Sequence, residues 1–293
     1  MLLREIKNIF HLELEPLYPI EEVDSIFYIL IEHYLSLERF ILALRPDLII
    51  SKEEEQPLFE ALTQLKLQKP IQQITGRAYF MDLDFAVDEN VLIPRSETEE
   101  LVRWILGEVR VTKYELQNRA GENSEFRILD IGTGCGCIAI ALAKNLVKAK
   151  VYALDVSEKA LEVAKRNAEL NEVEIELVQA NIMEDVSIDG KFDVIVSNPP
   201  YVRESEKKEI SKNVKDYEPG MALFVPDEDP LKYYQSIAEF AVHNLNDDGR
   251  LYLEINQYLA KETEQLLRDH NFKDIELRKD LFGNNRMLKG VLV

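Results

Sequence analysis

RILDIGTGCGCIAIALAKNLVKAKVYALDV, residues 127–156, decides the fold. Two apolar runs at its ends read as strands, and the stretch between them has the length and composition of a helix. Gly132, Gly134 and Gly136 punctuate the passage from the first strand to the helix. Strand, glycine turn, helix and strand make a βαβ unit, whose strands pair in parallel.

The same beat continues downstream. Strands are expected at IELVQA (175–180), FDVIVS (192–197) and RLYLEI (250–255), and helices at 157–171, 229–245 and 257–270. This alternation predicts an α/β fold with a doubly wound sheet and helices on both faces. FKDIELRKD and RMLKGVLV break the rhythm, because only the turn FGNN joins them. They complete a seven-stranded sheet whose last strand is antiparallel.

Upstream the pattern is different. IEEVDSIFYILIEHYL (20–35) and PLFEALTQLKL (57–67) carry apolar residues at helical spacing, and Ser51 with Glu54 forms a capping box. The expected organisation is a helical bundle over 1–70, a β-hairpin linker over 71–95 around YFMDLDFAV, and an α/β domain over 96–293. Ser96 and Glu99 read as a second capping box at the start of the helix SETEELVRWILGEV.

At 293 residues, 46% hydrophobic and 30% charged, the composition is that of a globular protein. The first residues mix Arg4, Glu5 and Lys7 with apolar ones, unlike a secretory signal, and no apolar run reaches the roughly 18 residues of a membrane span. Two cysteines, Cys135 and Cys137, sit too close in sequence for a disulfide framework and fit a reducing, cytoplasmic setting. A net charge of −19 argues against a broad nucleic-acid footprint, which needs lysine and arginine against phosphate. His11, His33, His243 and His270 are scattered without metal-ligand spacing, so no metal is expected.

The glycine turn is the first candidate site. Glycine permits positive φ and close approach of the backbone to a ligand. The spacing is G-x-G-x-G, and the dinucleotide fingerprint would need its third glycine where Cys137 stands. Thr133 and Cys135, between the glycines, join them as candidate cofactor contacts. Asp155 ends the following strand, where a carboxylate can reach ribose hydroxyls. Its alternative role as a helix cap is already filled by Ser157. Asn181 and Ile182, after the third strand, are positioned to line an adenine pocket, although a lone asparagine is also a common turn residue.

The second candidate site follows the fourth strand in VIVSNPPYV, residues 194–202. Two prolines can neither continue a helix nor donate to a sheet ladder, so the chain opens there. The side-chain oxygen of Asn198 and the carbonyls stiffened by Pro199 and Pro200 are acceptors in fixed places. Together they can take both N–H bonds of a planar amino group and aim its nitrogen, with Tyr201 as an aromatic wall.

DIGTGCGCIAI, Asp155 and SNPPY together resemble the class I methyltransferases that use S-adenosylmethionine. QQITGRAYFMDLDFAVDENVLIPRSETEELV, YEPGMALF and RMLKGVLV narrow the resemblance to the HemK-type protein-glutamine N5-methyltransferases, over nearly the whole chain. The resemblance implies methyl transfer to the glutamine of the Gly-Gly-Gln motif in peptide chain release factors, with S-adenosylhomocysteine as product. It implies that Asn198, Pro199, Pro200 and Tyr201 hold the substrate amide, with Asn198 also near the cofactor. The glycines would cradle the cofactor's methionine portion, Asp155 its ribose, and the N-terminal helices would dock the release factor. A monomer without stable nucleic-acid or membrane partners is expected. Ser96 stands where the family usually has proline, and FVPDEDPL replaces a glycine-rich segment.

Three other readings compete with this one. An N6-adenine or N2-guanine methyltransferase of DNA or RNA could use the same quartet, but the charge opposes it. An NAD-dependent oxidoreductase is opposed by the glycine spacing and the terminal hairpin. A binding module without turnover is opposed by the intact quartet and Asp155.

Overall fold

The computed structural model describes residues 1–116 and 125–292. They form two compact units: Met1–Arg77 with Ser211–Tyr217, and Ala78–Ile210 with Glu218–Val293.

The first unit is helical, with α1 (Leu3–Leu14), α2 (Ile20–Leu35), α3 (Ile41–Leu44), α4 (Lys52–Lys66) and α5 (Ile71–Thr75). Leu3, Ile6, Phe10 and Leu14 recur at three- and four-residue spacing and put one face of α1 into the core. Phe10 meets Phe27 of α2 edge to face at 5.3 Å. The capping box of α4 forms as expected: Ser51 accepts from the Glu54 N–H at 3.3 Å, and Glu54 accepts from the Ser51 N–H at 2.7 Å. Residues 211–217 join this unit through Tyr217, whose hydroxyl donates to the Leu67 carbonyl and whose own carbonyl accepts from Gln73.

The second unit begins with the hairpin β1 (Arg77–Phe80) and β2 (Leu83–Ala86), which belongs to this unit from Ala78 onward. Met81 and Asp82 both take positive φ, 52° and 61°, as a two-residue hairpin turn requires. The expected capping box at Ser96 is not formed. Helix α6 (Ser96–Leu116) already contains Ser96, whose hydroxyl turns to Glu97. Glu99 accepts instead from the Met81 N–H at 2.8 Å and from Arg103, so its carboxylate satisfies the hairpin turn.

Then follow β3 (Phe126–Ile131), α7 (Cys137–Asn145), β4 (Ala149–Asp155), α8 (Glu158–Leu170), β5 (Glu176–Gln179), β6 (Phe192–Ser197), β7 (Val202–Arg203), α9 (Lys212–Tyr217), which belongs to the first unit, and β8 (Phe224–Val225). The chain ends with α10 (Lys232–Asn244), β9 (Leu245–Glu254), α11 (Ala260–Asp269), β10 (Phe272–Lys279) and β11 (Asn285–Leu292). The seven-stranded sheet has the order β10-β11-β9-β6-β3-β4-β5. As expected, β11 runs antiparallel to both neighbours, while β9, β6, β3, β4 and β5 pair in parallel.

Side chains alternate across this sheet as the pleat demands. Ile128, Val151, Val194 and Tyr252 pack toward α6 and α7, while Leu129, Leu154, Ile195 and Leu251 pack toward α10 and α11. The short parallel pair β7–β8 was not expected from the sequence. Among the described residues no helix is long and apolar enough to cross a membrane.

Candidate active site

The sheet changes winding direction at β3, which lies between β4 and β6. In such sheets the crevice at the carboxyl ends beside this point receives ligands. Ile131 lies level with Leu154 on one side and Ser197 on the other. The Ser197 hydroxyl donates to the Ile131 carbonyl at 2.7 Å, and the Gly132 N–H donates to Leu154 at 2.8 Å. Gly132, Asp155 and Asn198 therefore all leave the sheet at one level. A cavity of about 280 Å³ opens there, lined by these three residues, Gly134, Asn181, Ile182, Pro199 and Pro200, among others.

The glycines differ in what they do. Gly132 and Gly134 take positive φ, 73° and 55°, and a Cβ on either would meet no protein atom within 4 Å. That open space is on the cavity wall. Gly136 also has positive φ, but its Cβ would stand 2.9 Å from Ile140 Cδ1 and 3.1 Å from Ala164 Cβ. It lies away from the cavity wall, and its smallness serves the packing of α7 on α8 instead. The expectation that all three glycines face the ligand is corrected for Gly136. Thr133 and Cys135 also point elsewhere. Both are buried; the Thr133 hydroxyl donates to Asp130 at 2.6 Å, and the Cys135 carbonyl accepts from Asn167.

Asp155 accepts from the Gly134 N–H and the Ser157 N–H, both at 2.9 Å, so it ties the glycine turn to the start of α8. Ser157 caps α8 through the Ala160 N–H, as expected. Burial pushes the Asp155 carboxyl above its ordinary range, against the pull of these backbone donors. Asn181 lines the cavity, but its amide is already engaged: it accepts from the Met183 N–H and donates to Glu184. Its side chain is thus a turn former at the cavity edge.

Tyr201 departs from the expected aromatic wall. It lies outside the cavity lining, and its hydroxyl donates to Glu254 at 3.0 Å and accepts from Arg286 at 3.3 Å. Burial, with the Glu254 carboxylate beside it, pushes its phenol well up. Glu254, buried at the end of β9, also accepts from the Thr98 hydroxyl at 2.6 Å, and Thr98 accepts from Asn198 Nδ2 at 3.2 Å. Glu218 is a further unforeseen member. Its carboxylate accepts from Arg95 at 2.6 Å and from the Ile93 N–H at 3.1 Å, holding Pro219, Met221 and Ala222 at the cavity across from Asn90–Leu92. These partners are far apart in sequence, and nothing local announces them.

The residues present fit S-adenosylmethionine. Bare glycine backbone faces the cavity, a carboxylate stands at the end of β4, and Val156 and Ile182 offer apolar walls. The volume is close to the lower bound for small-molecule sites, roughly 300–1,000 Å³. Among the described residues no cluster could hold a metal ion.

Comparison with known proteins agrees. Residues 13–76 match the PrmC N-terminal domain family, and residues 115–215 match the methyltransferase small domain family. The release factor glutamine methyltransferase of Flavobacterium psychrophilum is 50% identical over 289 residues, spanning 99% of both chains. That of Bacteroides thetaiotaomicron is 40% identical over 276 residues, covering 94% of this chain and 95% of its own. That of Streptococcus pneumoniae is 42% identical over 255 residues, covering 87% and 86%. With the sheet, the cavity and Asn198, Pro199 and Pro200 in its lining already pointing to methyl transfer, this identity over the full length settles the kinship: the chain belongs to the release factor glutamine methyltransferase family.

Proposed function

We propose that this enzyme methylates the side-chain nitrogen, N5, of the glutamine in the Gly-Gly-Gln motif of peptide chain release factors. The observation that carries the reading is one cavity with Gly132, Gly134 and Asp155 on one side and Asn198, Pro199 and Pro200 on the other. S-adenosylmethionine, when bound, supplies an electrophilic methyl group and leaves as S-adenosylhomocysteine.

An amide nitrogen is a poor nucleophile because its lone pair is delocalised into its carbonyl. Asn198 Oδ1 and the Pro199 carbonyl accept the two N–H bonds, and the lone pair is then directed into the cavity. Fixing a reactant in this way can supply roughly 7–11 kcal/mol in favourable cases. The same acceptors favour the positive charge that grows on nitrogen as the new N–C bond forms. One N–H proton leaves after transfer, which restores a neutral, methylated amide. Asp155 and the glycine turn hold the cofactor side. The helices of the first unit dock the protein substrate, and the enzyme acts as a cytoplasmic monomer without stable nucleic-acid partners.

Labelled methyl transfer to purified release factors tests this. Label on the wild-type factor, and none on a factor whose Gly-Gly-Gln glutamine is changed to alanine, is expected. Label on rRNA or DNA with none on either factor would instead favour a nucleic-acid amine as acceptor.

A further inference from the structure

The Asn198 side chain can face a substrate in two ways, because the two ends of an amide are nearly the same shape. With Oδ1 toward the cavity it accepts from an incoming NH2 group; with Nδ2 there, donor meets donor. On a loop after β6, nothing in the residue itself chooses. The choice is made on α6, 100 residues earlier in the chain.

We propose that Thr98 is a positioning residue for methyl transfer, holding the Asn198 amide with its oxygen toward the reacting nitrogen. This rests on the reading of the site given above. Thr98 is 2% exposed in the first turn of α6, with its hydroxyl 2.6 Å from Glu254 Oε2 and 3.2 Å from Asn198 Nδ2. An ionised carboxylate only accepts, so Thr98 must spend its single proton on Glu254. What remains on the threonine oxygen is acceptor capacity, which an NH2 group can meet and an amide oxygen cannot. Asn198 Nδ2 is thereby turned inward, and among the described residues Oδ1 has no donor of its own.

The order runs further back. The other Glu254 oxygen accepts from Tyr201, Tyr201 accepts from Arg286, and Arg286 pairs with Asp280 at 3.2 Å. Burial raises the Glu254 carboxyl above its ordinary range, while its two hydrogen-bond donors and the nearby guanidinium pull it back toward the accepting form. Tyr201 therefore serves the Asn198 amide from behind, through Glu254 and Thr98, rather than as a wall of the site.

The test is the kinetics of T98V, T98S, N198A and the T98V/N198A double variant on a release factor, with S-adenosylhomocysteine affinity by calorimetry. T98V keeps the shape and loses the hydroxyl. Its kcat is expected to fall about 10–100-fold, with substrate KM and S-adenosylhomocysteine affinity within about threefold of wild type. T98S is expected to recover kcat to within about threefold. In the N198A background, T98V is expected to cost nothing further, because residues acting through one another are not additive. Wild-type kcat in T98V, or an undiminished loss in the N198A background, overturns the proposal.

If T98V does not fold, E254Q tests the same row of bonds. A glutamine can donate to Thr98 and free its proton for Asn198 Oδ1, so kcat is expected to fall with cofactor affinity kept; unchanged kcat overturns the proposal. If the wild-type chain methylates no release factor, the functional reading fails separately. Hydrogen exchange of the Asn198 side-chain NH2 by NMR then still decides: faster exchange in T98V or E254Q than in wild type supports it, and equal exchange overturns it.

Discussion

At the scale of single residues, Asn198 carries the sharpest expectation. On the proposed reading its oxygen is an acceptor placed where positive charge develops, and removing one such preorganised partner typically costs about 10²–10³ in kcat. N198A is expected to lose kcat in that range while S-adenosylhomocysteine affinity, measured by calorimetry, changes less than about tenfold. A loss confined to cofactor affinity would move Asn198 out of the chemistry. Asn198, Pro199 and Pro200 were legible in the sequence because proline has so few uses after a strand. Thr98 and Glu254 were not legible. Thr98 looks like any residue in a helix's first turn, and its partners lie 100 and 156 residues away. Tyr201 is legible only as an aromatic after the prolines, since sequence does not show where its hydroxyl goes.

At the scale of elements, the turn between β3 and α7 separates two uses of one residue type. Alanine at either Gly134 or Gly136 incurs the left-handed penalty of roughly 1–2 kcal/mol. At Gly136 the added methyl also collides with Ile140 and Ala164, and overpacking adds about 1–3 kcal/mol. At Gly134 it enters open space on the cavity wall. Thermal melting and calorimetry together should therefore split the pair. G136A is expected to lower Tm the more, by about 4–15 °C. G134A is expected to lose the more affinity for S-adenosylhomocysteine, at least about tenfold. Equal Tm losses with cofactor affinity unchanged in G134A would make both glycines purely structural. Periodicity alone located this turn and the strands around it, since a buried parallel strand and a glycine stop are local signals. The pairing of β7 with β8 and the Arg95–Glu218 bond were hidden because each joins segments that only the fold brings together.

At the scale of the molecule, the sheet gathers carboxyls at its ligand-facing edge: buried Asp130 at the end of β3, half-buried Asp155 at the end of β4 and buried Glu254 at the end of β9. Burial, chiefly, raises all three above their ordinary range, and it pushes Asp130 up to about 7 from 3.8. A carboxyl raised in the folded state holds more protons there than in the unfolded chain between the two values. Stability then falls as pH rises across that window, by at most about 1.4 kcal/mol per pH unit for one group. Carboxyls held low act in the opposite direction, as Asp24 does through its bond to Lys7. Their contribution is lost only as pH falls through the acid range, below about 4. Between pH 5 and 7.5 the raised group at Asp130 should therefore govern the difference between wild type and D130N. Asparagine keeps an acceptor for the Thr133 hydroxyl and the Ala139 N–H, and it removes the titration. The wild-type Tm, measured without cofactor, is expected to fall relative to D130N as pH rises from 5 to 7.5, by several degrees in all. The net charge of −19 weakens both proteins together at high pH, so it cancels to within one charge in this comparison. A difference in Tm that stays constant across the range would show that Asp130 ionises at its ordinary pH and that its burial is offset by its hydrogen bonds.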